Sequence, residues 1–184
     1  MKKLSFKHTA HWLIFILANV LILFAACSKD SDNNDNGGNN NLPDPKPNIV
    51  TLNGAEKQIT RAEYKDKGDD NYELYLYLNN SDKEKVELGL HKGSHMNGTP
   101  IELSEDDTTK YGLFWEVLYY STDGQIIKAS GHPDASHFTK GTLTVSGTPG
   151  SGSVNISLKK GKVMGKDDKE YTLTLNYSCE MEKK

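Results

Sequence analysis

Apolar and polar residues alternate along most of the chain beyond residue 48. In five stretches every second side chain is apolar and most of the intervening ones are polar. These stretches are Tyr72–Leu78, Val86–Leu90, Leu143–Val145, Val154–Leu158 and Tyr171–Tyr177. A period of two residues is typical of strands with one face on a core and the other toward water. The pattern therefore predicts antiparallel β-strands at these positions.

Turn signals such as Asn53-Gly54 and Asn97-Gly98 separate five further predicted strands. These strands are Ile49–Asn53, Gln58–Tyr64, Thr99–Leu103, Tyr111–Ser121 and Gln125–Ala129. No segment of this region has a convincing helical period. We therefore predict one all-β domain over residues 48–184, a single antiparallel β-sandwich or a partly closed β-barrel of about nine or ten strands. The alternation does not distinguish these two architectures, but it indicates a C-terminal meander.

The first part of the chain has a different pattern. Three lysines within the first seven residues precede the apolar run Trp12–Ala26, which is shorter than the roughly 20 residues of a spanning helix. This arrangement predicts a signal peptide over residues 1–26. The run ends in the sequence FAAC at residues 24–27, which resembles the lipobox of bacterial lipoproteins. The resemblance implies cleavage before Cys27 and attachment of palmitate-type acyl chains there, which anchor the protein in a membrane.

Residues 27–47 are rich in Asn, Asp, Gly and Pro and contain one aliphatic side chain, Leu42. This composition cannot bury enough apolar surface to order the chain, so it predicts a disordered tether. Its first part, Ser28–Asp32, has the sequence SKDSD and resembles the Ser-Lys-acidic export signal of surface lipoproteins from Bacteroidetes. That resemblance implies a lipid-anchored protein of the outer membrane that faces the cell exterior. A lipoprotein that faces the periplasm is the alternative.

The strand pattern of the C-terminal half gives a second resemblance to the same group. Gly141–Ser146, Val154–Leu158 and Tyr171–Tyr177 are similar to the corresponding parts of small, β-rich lipoproteins from Bacteroidetes. Most proteins of that group have no assigned function. The resemblance therefore implies a fold and a compartment, and it carries no site residue to this chain.

Composition narrows the class of ligand. The chain has 184 residues and a formal net charge of −3, which allows one ordinary domain and argues against a nucleic-acid partner. It has nine tyrosines, and Tyr75 and Tyr77 fall on the polar face of their predicted strand beside Glu73. Exposed tyrosines with hydrogen-bonding neighbours suit contact with a sugar or a protein. We therefore predict a glycan or protein ligand at these three residues, with ordinary cross-strand packing as the alternative.

Four histidines occur as two pairs in predicted loops, His91 with His95 and His132 with His137. Histidine ligates zinc, copper and haem iron, so the pairs are candidates for metal or haem capture if the two loops meet. Their spacing outside a helix fixes no geometry. We therefore predict no cofactor and keep metal or haem capture as an alternative to polar loop histidines.

The sequence gives little sign of catalysis. It contains neither G-x-S-x-G nor H-E-x-x-H. His132, Asp134 and Ser136 lie close together, but neighbours in one loop rarely form both hydrogen bonds and the oxyanion hole of a triad. We predict a surface lipoprotein with a binding role that is not an enzyme. A structural or adhesion component of the envelope, without a small-molecule site, is a further alternative.

Overall fold

The computed structural model describes residues 44–107 and 114–184. The predicted signal peptide, the predicted lipid-attachment residue Cys27 and most of the predicted tether lie outside these ranges. Within them, no helix is long and apolar enough to cross a membrane.

The described residues form eleven strands and one short helix. In chain order these are β1 (Ile49–Leu52), β2 (Ala55–Gly68), β3 (Asn71–Leu78), β4 (Lys85–His91), α1 (Lys92–His95), β5 (Ile101–Glu102), β6 (Glu116–Ser121), β7 (Gly124–Ser130), β8 (Phe138–Ser146), β9 (Val154–Met164), β10 (Glu170–Cys179) and β11 (Glu182–Lys183).

Ten strands form one curled antiparallel sheet, a half-barrel, in the order β5-β8-β9-β10-β1-β2-β3-β4-β6-β7. The eleventh, β11, pairs with β2 in parallel. Because β1 pairs with both β2 and β10, it joins the N-terminal strands to the C-terminal meander β8-β9-β10. The all-β prediction is confirmed, and the single curled sheet corresponds to the partly closed barrel.

The inner face of the half-barrel carries the hydrophobic core. Leu74, Leu76 and Leu78 of β3 pack in one cluster with Val86 and Leu88 of β4, and all five side chains are fully buried. Burying a side chain of this size contributes roughly 1.5–3 kcal/mol. The predicted alternation thus places its apolar residues inward. Because the inner face is packed with apolar side chains, the outer face and the strand ends carry the polar groups that a ligand can reach.

Glycines allow β8, β9 and β10 to lie close together and bend. The pairing of β9 with β10 shifts register between Leu173 and Leu175. A side chain at Gly161 would place its Cβ 2.5 Å from the Leu173 carbonyl oxygen and 2.7 Å from Leu158 Cδ2. The close approach therefore requires glycine, and the bulge curves the strands.

Two local differences from the sequence prediction stand out. The strand predicted over Tyr111–Ser121 begins only at Glu116, and residues 111–113 lie outside the described ranges. Lys92–His95 form one helical turn where no helix was predicted. His91 caps its N-terminus, because His91 Nδ1 accepts a hydrogen bond from the Ser94 N–H. A single turn is too short to show a helical period in the sequence.

Candidate functional site

The outer face of β2, β3, β4 and β6 carries a continuous array of tyrosine and charged side chains, which we call the tyrosine–cation face. Its members are Arg61, Glu63, Glu73, Tyr75, Tyr77, Lys85, Glu87, Tyr120 and Lys184. Cross-strand pairing puts Arg61, Tyr77, Lys85 and Tyr120 in one row. The next row contains Tyr75 between two glutamates. Cations therefore flank one tyrosine and carboxylates flank the other.

Tyr75 and Tyr77 lie on the predicted outer face, but their predicted exposure is wrong. Each residue is only 6% exposed, and their rings stack with centroids 6.4 Å apart and planes inclined by 21°. Cationic groups cover the rings: Lys184 Nζ lies 3.9 Å from the centroid of Tyr75, and the Arg61 guanidinium lies 4.0 Å from that of Tyr77. An open ring face on which a sugar could stack is therefore not present at either residue.

Three cationic residues of this face were not among the predicted ligand residues. Arg61 comes from β2, Lys85 from β4 and Lys184 follows β11, so all three belong to other elements than β3, which carries Tyr75 and Tyr77. Lys85 Nζ lies 4.8 Å from the ring centroids of both Tyr75 and Tyr120. Cations over tyrosine faces are attracted by the ring quadrupole. The strand register would reveal these pairs, but hydrophobic alternation alone does not supply it.

The hydroxyl groups of the two tyrosines donate to carboxylates of the same face. Tyr75 donates to Glu73 Oε2 at 2.5 Å, and Tyr77 donates to Glu63 Oε2 at 3.1 Å. Burial, followed by the hydrogen bond to Glu73, raises the pKa of Tyr75. Burial would raise the pKa of Glu73 as well, but hydrogen bonds from Tyr75 and Lys67 outweigh it, so that pKa is lowered. At neutral pH the face therefore presents a neutral phenol beside a carboxylate. The structure thus brings the three predicted ligand residues into contact.

The two predicted histidine pairs approach one acidic segment. His95 Nε2 lies 2.8 Å from Asp107 Oδ2, and His137 Nε2 lies 3.3 Å from Asp106 Oδ1. The described parts of the chain nevertheless contain no group of three or more His, Cys, Asp or Glu side chains that could hold a metal ion. The geometry therefore gives the alternative of metal capture no support.

At least one histidine of each pair has hydrogen bonds that order its loop. His95 Nδ1 accepts from the His91 N–H at 2.9 Å, so its proton is on Nε2, which donates to Asp107. Burial lowers the pKa of His95 by more than Asp107 raises it, which favours the neutral ring. His132 Nδ1 accepts from the Asp134 N–H at 3.1 Å. These contacts are those of structural loop histidines.

A shallow groove of about 390 Å³ lies between the β8–β9 turn and the segment before β11. It is lined by Gly150, Ser151, Gly152, Glu180 and Met181. Most of this lining comes from a glycine-rich turn, so the groove offers few side chains for specific recognition.

Comparison of the chain with protein-family models, with curated proteins and with solved structures finds no significant match in any of the three.

Proposed function

We propose that the protein is a lipid-anchored lipoprotein of the outer-membrane surface whose β-domain binds a protein ligand without catalysing a reaction. The observation that supports binding is the tyrosine–cation face. Tyrosine and arginine are enriched at the centres of protein–protein interfaces. The side chains of this face are already held by mutual contacts, so binding would immobilise few of them anew. The lipobox-like and export-like sequences support the anchor and the location.

A protein ligand fits this face better than a glycan. Stacking with a sugar requires an open aromatic face, and Lys184 and Arg61 occupy the faces of Tyr75 and Tyr77. Rows of opposite charge can instead pair with a complementary charge pattern on a partner protein. The packed inner face also favours an external site. The histidine contacts favour no second function.

Photo-crosslinking on intact cells tests the proposal. A photoreactive amino acid replaces Lys128, which is exposed in β7 and pairs with Leu118 in the row that contains Glu87. The control position is Lys159, which is exposed in β9. We expect a discrete protein adduct from position 128 and none from position 159. Arg61→Glu should abolish the adduct, whereas the charge reversal Lys159→Glu should leave it unchanged.

Other results would overturn the proposal. Equal adducts from both positions would contradict binding at this face. Binding of the purified full-length protein to a glycan array, without a protein adduct, would make a glycan the ligand. Neither adduct nor glycan binding would favour a structural component of the envelope.

A further inference from the structure

The Tyr75–Tyr77 pair has the features of a site for an organic cation. The two residues are separated by one position in β3, so their rings lie side by side on the outer face and stack. Aromatic faces bind ammonium groups through the ring quadrupole, most strongly where water is excluded. Both tyrosines are almost completely buried with the covering side chains in place, whereas Lys184 itself is exposed, so the rings are shielded from water more than the ammonium group is.

The chain itself fills this site with an ammonium group. Lys184 Nζ lies 3.9 Å from the Tyr75 centroid and 5.9 Å from the Tyr77 centroid, and it donates to the Tyr77 hydroxyl at 3.2 Å. No carboxylate of the described residues lies within ion-pair distance of Lys184 Nζ. The ring faces and one hydroxyl are therefore what hold this cation.

The ring faces favour a positive charge at this position. Glu63 and Glu87 are the cross-strand neighbours of Tyr75, and Glu73 accepts a hydrogen bond from its hydroxyl group. Each of these glutamates is already paired with a cation of its own within 3.4 Å. The carboxylates are therefore balanced, and the ring quadrupoles are what attract the Lys184 ammonium.

The segment that delivers Lys184 is anchored just before β11, where the Met181 side chain is buried in the core and the Glu180 carbonyl accepts a hydrogen bond from the Tyr177 hydroxyl. Glu182 and Lys183 pair with β2 over only two residues, and the Lys184 backbone N–H donates to the Tyr64 carbonyl at 2.9 Å. A lysine held this way competes with an incoming amine at a high effective concentration, on the millimolar scale for short flexible links. An external amine therefore binds well only after this internal one is displaced or removed.

We propose that Tyr75 and Tyr77 form a recognition site for a primary ammonium group, occupied in the free protein by Lys184 and available to a lysine side chain of the protein ligand. The inference rests on the proposed function for the identity of the partner. Lys184 acts as a built-in competitor that restricts binding to partners with further contacts on the tyrosine–cation face.

Substitution of the competing lysine tests the site directly. Lys184→Gln removes the ammonium group but keeps the backbone hydrogen bond to Tyr64. Lys183→Gln is the matched control, because it removes one charge from the neighbouring residue, which makes no ring contact among the described residues. The probe is the peptide acetyl-Gly-Lys-Gly-amide, and its acetyl-lysine form is the uncharged control. Binding is followed by the NMR shift of the peptide lysine Hε protons, which aromatic rings displace upfield.

We expect Lys184→Gln to bind the lysine peptide at least tenfold more tightly than the wild type or Lys183→Gln. The acetyl-lysine peptide should not bind, and the addition of Tyr75→Leu to Lys184→Gln should abolish binding. Equal affinity of the Lys184→Gln and Lys183→Gln proteins would overturn the site, as would equal binding of the acetylated peptide. Tighter binding of glucosamine or phosphocholine than of the peptide would overturn the assignment to a protein lysine.

The two proposals fail in different ways. A position-dependent adduct on cells without peptide binding by Lys184→Gln would remove the ammonium site and leave the proposed function standing. Peptide binding by Lys184→Gln without any adduct on cells would support the site and contradict the proposed protein ligand.

Discussion

His95 is the clearest case of a single residue whose environment sets its charge. Its side chain is only 2% exposed, and its two ring nitrogens contact the His91 N–H and Asp107. Asp107 also accepts a hydrogen bond from the Trp115 backbone N–H at 3.1 Å. The neutral ring therefore connects the loop after β4 to the segment before β6.

This environment predicts a loss of stability in mild acid. Burial lowers the pKa of folded His95 below its usual value of 6.5, whereas the unfolded chain retains that value. Between the two pKa values the unfolded state binds more protons, so the free energy of unfolding decreases as pH falls below about 6.5. The free energy of unfolding, measured by urea unfolding at a series of pH values, should depend less steeply on pH in His95→Gln than in the wild type. His132→Gln is the control, since it changes a histidine that is half-exposed in a loop, and its pH dependence of stability should equal that of the wild type. The same pH dependence in His95→Gln as in the wild type would contradict the mechanism.

The tyrosines show which residue properties the sequence could predict. Alternation correctly assigned Tyr75 and Tyr77 to the outer face, because side chains of a strand point to opposite sides in turn. Their exposure was predicted wrongly, because the groups that cover them belong to β2, β4 and the segment after β11. A period of two residues indicates the face of a side chain but contains no information about which distant side chains cover it.

At the scale of elements, the curvature of the C-terminal meander depends on Gly161. A Cβ at this position would meet the Leu173 carbonyl oxygen, which is backbone and cannot rotate away. We expect Gly161→Ala to lower the free energy of unfolding by about 1–3 kcal/mol, the usual cost of overpacking. Gly89→Ala is the control, since its Cβ would lie 3.3 Å from Glu116 Cβ and Oε2, a much milder contact than the one at Gly161, and it should change stability by less than about 1 kcal/mol. Equal effects of the two substitutions in urea unfolding would contradict a special role for Gly161.

The strands themselves were largely predictable, and their connections were not. The alternation of β4 and β9 reflects one buried face, which is a local property of each strand, whereas β3 is buried on both faces between Leu74 and Leu78 because side chains of other elements cover it. The pairing of β1 with β10 joins residues more than 120 positions apart in the chain. The choice of a half-barrel over a sandwich depends on such long-range pairs and on bulges, so hydrophobic periodicity could not decide it.

At the scale of the whole molecule, the proposed lipid anchor would decide which partners the tyrosine–cation face can meet. A face that binds a protein ligand is then accessible to partners on the same side of the membrane as the anchor.

The anchor is testable through its one predicted attachment residue. Cells fed a palmitate analogue should label the wild-type protein, and Cys27→Ala should lose both the label and the membrane association, because several acyl chains supply the binding energy. Ser31→Ala is the matched control, since it changes a nearby residue without removing a thiol and should keep the label. Trypsin added to intact cells should remove the β-domain of the labelled protein if the domain faces outward. Label with complete protection from trypsin would place the domain in the periplasm, and an unlabelled wild type would contradict the lipoprotein assignment altogether.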